Sequence, residues 1–114
     1  MQNCIFCKIV AREIPVEPVY EDEEIIAFPD VNPQAPVHVL VIPKKHMANL
    51  LEMSDEDNAL LTRMHSVVRQ LAKELGIADE GFRLVVNTRD NGGQTVHHLH
   101  FHILGGRFMT WPPG

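Results

Sequence analysis

The chain has 114 residues, 45% hydrophobic and 22% charged, which predicts a single domain over residues 1–114 and excludes a disordered chain. Its formal net charge of −5 opposes broad binding to nucleic acid, yet leaves room for a small anion held by histidines and backbone amides. No apolar run approaches the ~20 residues of a membrane span and Lys8 interrupts any signal-like core, so a cytoplasmic protein without membrane contact is expected, with Cys4 and Cys7 as reduced thiols or metal ligands.

Residues 4–11, CIFCKIVA, suit a short helical turn with Ile5, Phe6, Ile9 and Val10 as its apolar set. Pro15 and Pro18 push the residues before them towards extended geometry, making EIPVEP a turn. VYEDEEIIAFPD predicts a hairpin with Val19 and Tyr20 on one side, a charged tip at Glu21–Glu24 and a strand through Phe28. Pro33 and Pro36 end it. VHVLVIP is nearly continuous apolar, as in a central strand covered on both faces, and His38 is out of place in such company.

The main helix is expected at about residues 54–75, with Ser54 and Asp57 as a capping box and Gly76 at its end. Leu60, Leu61, Met64, Val67, Val68, Leu71 and Leu75 recur at helical spacing along one face. FRLVVNT and HLHFHIL then form a second strand pair around the glycine-bearing turn RDNGGQT. The tail GGRFMTWPPG has no regular pattern and holds the single Trp. Strands, one long helix, then strands predict an α+β fold, an antiparallel sheet with the helix on one face.

TVHHLHFHIL puts four of seven histidines into ten residues. In a strand His98, His100 and His102 share one face and Leu99, Phe101 and Ile103 the other, while His97 points away from the row and receives no catalytic role. Core packing would choose Val or Ile at such positions. One metal ion cannot take all three, because the outer pair stand roughly 13 Å apart along a regular strand. Phosphoryl chemistry suits the row better, since neutral imidazole is a nucleophile and protonated imidazole stabilises anionic oxygen. GGQT is expected to bring free backbone amides and the Gln94 and Thr95 side chains to the same centre as oxyanion donors.

His-apolar-His-apolar-His followed by two apolar residues resembles the signature of the histidine triad (HIT) superfamily of nucleotide hydrolases and transferases. CIFCKI, EIP, AFPDVNPQAPVHVLVIPKKH, GGQT, LGGR and the ending WPPG resemble its Hint branch, the purine nucleoside phosphoramidases, over almost the whole chain. The resemblance implies a HIT-like sheet of about five strands that dimerises into one continuous sheet. It implies hydrolysis of purine nucleoside 5′-phosphoramidates, aminoacyl adenylates included, through a nucleotidyl-histidine. The nucleotide would be of AMP or GMP type, and catalysis would need no cofactor.

In that comparison His100 is the nucleophile, His102 polarises the α-phosphate, and His98 and His38 complete the catalytic group with Thr95. Asp30 matches the carboxylate that holds the ribose hydroxyls. Ile5, Phe6, Ile9, Ile14, Phe28 and Val31 match the purine walls, and Asn87, Gly93 and Gln94 match residues around the phosphate. Trp111 matches a tail residue near the partner subunit's site. Thr95 stands where most Hint proteins carry Ser, and His97 where Tyr is common. Some HIT relatives hold a structural zinc with a comparable cysteine pair and two histidines, a pattern that transfers to Cys4, Cys7, His46 and His98. The alternatives are a dinucleoside polyphosphate hydrolase of the same superfamily and a nucleotide-binding scaffold dimer with little turnover.

Overall fold

The structure, a computed structural model, describes residues 3–114. In chain order the elements are α1 (Ile5–Val10), β1 (Tyr20–Glu21), β2 (Ile25–Pro29), β3 (Val37–Pro43), α2 (Asn58–Glu74), β4 (Phe82–Val85) and β5 (Phe101–Gly105). The strands form one antiparallel sheet in the order β1-β2-β3-β5-β4, which places the apolar β3 at its centre as its composition requires. This is the α+β, five-stranded arrangement expected from the sequence. Among the described residues no helix is long and apolar enough to cross a membrane.

Alternation along the strands divides the side chains between two cores. Ile25, Ala27, Val39, Val41, Leu99, Phe101 and Ile103 face α2, where Leu60, Met64, Val67, Val68, Leu71 and Ala72 meet them. Met64 and Leu71 are fully buried there, so truncating either to Ala should cost about 2–5 kcal/mol. The even-numbered partners Ile26, Phe28, Leu40 and Ile42 face the other way and pack under Phe6 and Ile9 of α1. His100 and His102 project on this second face, since Leu40 pairs with His102 in the β3–β5 register. One face of the sheet is thus closed by a long helix and the other by a six-residue helix with Ile14, Val16 and Val96 beside it. The open space on that side is where a ligand can enter.

Several boundaries differ from expectation. β5 begins at Phe101, so His98 and His100 lie before it, and β4 stops at Val85. The segment before β5 leaves the ladder because the Leu99 N–H donates to Met47 O at 2.7 Å, in the loop after β3, instead of to a strand neighbour. The alternation of side chains nevertheless continues through it. Glu21 belongs to β1 and not to the hairpin tip. The expected capping box forms, but on a 3₁₀ turn at Asp55–Asp57 that leads into α2. A further 3₁₀ turn at Leu50–Glu52, capped by the Asn49 side chain, had no clear sequence signal.

Candidate active site

A cavity of about 450 Å³ opens on the second face of the sheet. Ile5, Phe6 and Ile9 of α1, Ile14, Phe28 and Val31 form its apolar wall, and Asp30, His38, Thr95, His100 and His102 its polar one. Val31 is 99% exposed and Ile5 47%, so core packing does not explain these two apolar residues. A flat apolar ligand between them and Phe28 would.

The imidazoles are assigned by what each second nitrogen touches. His100 Nδ1 lies 2.7 Å from the His98 carbonyl, which can only accept, so Nδ1 carries the proton and Nε2 keeps its lone pair. His38 Nδ1 accepts from the Gln34 N–H at 3.0 Å, so its proton sits on Nε2, 2.9 Å from His102 Nδ1. His102 Nδ1 therefore accepts, and the His102 proton sits on Nε2. The resulting neighbours are a nucleophilic nitrogen on His100 and an N–H donor on His102, with ring centres 4.9 Å apart.

Charge states agree with these tautomers. Burial pushes His102 down to about 4, helped by His100 and His38. Burial also lowers His38, against the pull of Asp30, whose Oδ2 lies 3.4 Å from His38 Nε2. Burial lowers His100, partly opposed by the bond to the His98 carbonyl. Asp30 Oδ1 accepts from the Asn32 N–H at 2.8 Å, which aims the carboxylate along the cavity wall. Asp30, His38 and His102 are close enough to suggest a metal, but both His38 nitrogens are already committed, one accepting and one donating.

A second constellation joins α1, the loop after β3 and the segment before β5. Cys4 Sγ lies 3.3 Å from His98 Nδ1, Cys7 Sγ lies 3.2 Å from His46 Nδ1 and 3.6 Å from His98 Nδ1, and the two Nδ1 atoms are 3.1 Å apart. His98 Nε2–H donates to Pro43 O at 2.8 Å, leaving its Nδ1 lone pair directed at the sulfurs. Tetrahedral zinc with bonds of about 2.3 Å to sulfur and about 2.0–2.1 Å to nitrogen places its ligands roughly 3.3–3.8 Å apart. The observed spacings of 3.1–3.6 Å lie within or up to about 0.2 Å below that range, so a small outward shift of His46 seats the ion. Burial and the adjacent Cys4 push the Cys7 thiol up to about 11, so a thiolate there needs a cation beside it.

The sequence family described as "Scavenger mRNA decapping enzyme C-term binding" matches residues 3–111. An uncharacterized HIT-like protein of Synechococcus elongatus is 55% identical over 99% of this chain and 98% of its own length. The chain belongs to the histidine triad family. Protein HitA of Neisseria gonorrhoeae is 50% identical over 92% of this chain and 97% of its own length. Among solved structures, a HIT family hydrolase from Legionella pneumophila superposes with a TM-score of 0.96 at 51% identity, covering 98% of this chain and all of the other. A histidine triad protein from Clostridium difficile gives 0.93 at 45% identity, with 96% of each chain covered.

Not every residue that the HIT resemblance nominates lines the cavity. Asn87, Gly93, Gln94 and Trp111 lie outside its wall, and Trp111 is 82% exposed. Two of the four amides expected of GGQT are spent within the turn: Gly93 N–H bonds to Asp90 O at 3.0 Å and Gln94 N–H to Arg89 O at 3.1 Å. The Gln94 side chain is likewise consumed, donating to Ala48 O and Val96 O and accepting from the Arg89 N–H. A turn this tight must satisfy its own polar groups before it can serve a ligand. His97 does not follow the alternation towards α2. It is exposed and lines an adjoining cleft with Cys4, Ile5, His46 and Thr95.

Sequence reasoning found the histidines but missed three backbone and loop partners. The His98 carbonyl, the Gln34 N–H and the Pro43 carbonyl each fix one imidazole, and no side-chain pattern announces them.

Proposed function

We propose that this HIT protein hydrolyses purine nucleoside 5′-phosphoramidates, as in the Hint branch, through a covalent bond between His100 and the nucleotide. The observation that carries this is the His100 tautomer: Nδ1–H is held by the His98 carbonyl, so the Nε2 lone pair is free beside the cavity. His100 Nε2 attacks phosphorus, the phosphorus–nitrogen bond breaks, and the amine leaves with the electron pair and collects a proton. Water then attacks phosphorus and releases a proton that replaces the one the amine collected, the bond to His100 breaks with its electron pair returning to Nε2, and the nucleoside monophosphate departs. His102 Nε2–H donates to a phosphoryl oxygen through both steps, and the hydroxyl of Thr95, a cavity-wall residue, serves the leaving group. The Legionella and Clostridium thermocellum neighbours are named as HIT family hydrolases, which supports hydrolysis as the reaction class.

The apolar wall takes the purine and Asp30 takes the ribose hydroxyls. Cys4, Cys7, His46 and His98 hold a structural zinc, which supplies cross-linking and no step of the reaction. The active form is a homodimer. Its support is the sheet edge at β4, which pairs only with β5, and the tail fastened beside it by the Arg83 guanidinium donating to Thr110 O at 2.9 Å. Phe108 and Trp111 are 87% and 82% exposed on that tail, and a second copy at the edge would cover them.

Rapid quench of the protein with adenosine 5′-phosphoramidate, followed by intact mass, tests the mechanism. An adduct of one nucleotide is expected, absent in His100→Ala while that variant still binds AMP. Turnover by His100→Ala near the wild-type rate would reject the assignment.

A further inference from the structure

The cysteine–histidine centre and the nucleotide cavity share two pieces of structure. The first is α1. Cys4 caps its N-terminus and Cys7 lies within it, while Ile5, Phe6 and Ile9 of the same helix form cavity wall. The second is the segment leading into β5. His98 gives its ring Nδ1 to the centre and its carbonyl to His100, 2.7 Å away. Phe6 spans the two, edge-on to His98 with ring centres 5.9 Å apart and to His100 at 5.1 Å.

α1 has six residues, well short of the ~12–15 that an isolated helix needs to persist in water. Its buried anchors are Phe6 and Ile9, so its order depends on what its side chains hold. A cation bound by Cys4 and Cys7 fixes one end of the helix. A purine against Ile5, Phe6 and Ile9 fixes its inner face. The entropy cost of ordering one helix is met once when both ligands are present, which makes their binding cooperative without any change of shape.

We infer that the Cys4–Cys7–His46–His98 centre is a nucleotide-coupled metal site: zinc held there tightens nucleotide binding and seats His100, and bound nucleotide tightens zinc. The inference rests on the nucleotide and zinc readings proposed above. The coupling acts through α1 and through His98, which is a positioning residue for His100 by way of its carbonyl. By linkage, the factor by which zinc raises nucleotide affinity equals the factor by which nucleotide raises zinc affinity. Cys4 and His46 line an open cleft of about 490 Å³, so the centre is in contact with solvent and can exchange its ion with a chelator.

The test is equilibrium competition for zinc between the protein and a chromophoric chelator, across a series of AMP concentrations. AMP should raise zinc affinity and the effect should level off at about 5–150-fold, the usual range for coupled sites. A rise that continues with AMP concentration, without a plateau, is the behaviour of a ligand that binds only the zinc-folded chain, and would overturn the route through α1 and His98 in favour of global folding. Inorganic phosphate, which fills the site without touching the apolar wall, should raise zinc affinity far less than AMP. An equal effect of phosphate would overturn the route through α1. Phe6→Leu keeps an apolar helix residue but removes the ring between His98 and His100, and its AMP plateau should fall towards one at full zinc stoichiometry. Calorimetry with AMP and metal analysis separate the failures. Zinc affinity unchanged by AMP, with both bound, rejects the inference alone, whereas absence of AMP binding or of zinc rejects the readings beneath it as well.

Discussion

Replacing His38 by leucine isolates the contact that sets the His102 tautomer. His38 is 7% exposed and its Nε2–H points at His102 Nδ1, 2.9 Å away, because its own Nδ1 is taken by the Gln34 N–H. Leucine fills much of the same volume and donates nothing. His102 then loses the partner that keeps its Nδ1 unprotonated and its Nε2–H available to the proposed phosphate. Leaving a buried acceptor without its donor costs about 1–3 kcal/mol. At about 1.4 kcal/mol per decade, kcat/KM for adenosine 5′-phosphoramidate should fall about 5–150-fold. His102→Ala, which removes an oxyanion donor outright, should cost about 100–1,000-fold. His38 acts only through His102, so the double variant should be no slower than His102→Ala alone, and the coupling energy should equal the whole effect of His38→Leu. Steady-state kinetics of the four proteins measures this. Losses that multiply in the double variant would refute the relay and leave His38 an independent role.

Asp30 should confer a preference for ribose over 2′-deoxyribose, because a carboxylate positioned for a hydroxyl is left unpaired when that hydroxyl is missing. Asp30→Ala should erase the preference, and equal kcat/KM for the two sugars in the wild type would sink the argument. Acid should destabilise the fold in a window set by the depressed histidines. His102 lies below its ordinary value of 6.5, at about 4, and His38 is lowered too, so the unfolded chain binds protons first. Their contribution is complete above pH ~6.5 and is lost as pH falls towards 4. For His102 it amounts to about 3 kcal/mol, since a tenfold change in proton affinity between the folded and unfolded chain is worth about 1.4 kcal/mol. Calorimetric unfolding between pH 7 and 4 should therefore show a shallower decline in His102→Asn, and parallel curves for the two proteins would contradict it.

Periodic patterns carried most of the fold. The helical spacing from Leu60 to Leu75 and the alternation through Leu99, Phe101 and Ile103 each mark a face, because burial acts on every residue of that face at once. VHVLVIP could be placed centrally because only a strand covered on both sides tolerates such a run. What was not legible depends on single contacts between distant segments. The ladder ends before His100 because Leu99 bonds to Met47, 52 positions away in sequence, and no local pattern encodes such a partner. The same holds for GGQT. Its residue types suit a phosphate cradle and an internally bonded turn equally, and the bonds from Gly93 and Gln94 to Asp90 and Arg89 decide for the turn. Gly92 fits that choice, since a Cβ there would sit 2.5 Å from Thr88 O. His97 shows the limit of alternation, which assigns a face only while the backbone stays extended, and it lies in a bend.

The three histidines of the motif are chemically identical side chains at regular spacing, yet they take three roles. The difference lies in the atom that meets the second nitrogen of each ring. A carbonyl on Nδ1 leaves the Nε2 of His100 with a free lone pair, as the proposed attack needs. An N–H on Nδ1 makes His102 a donor through Nε2. A carbonyl on Nε2 turns the Nδ1 of His98 towards two sulfurs and a further imidazole. Two of those three partners are backbone carbonyls, from His98 and Pro43, and the third is itself fixed by a backbone N–H, from Gln34. Backbone groups are the same for nearly every residue type, so side-chain identity alone cannot specify them; the register of the sheet and the path of its loops do. A histidine pair that shared one tautomer could offer two nucleophiles or two donors. Opposite tautomers on His100 and His102 give one of each, which is the combination that displacement at a phosphate requires.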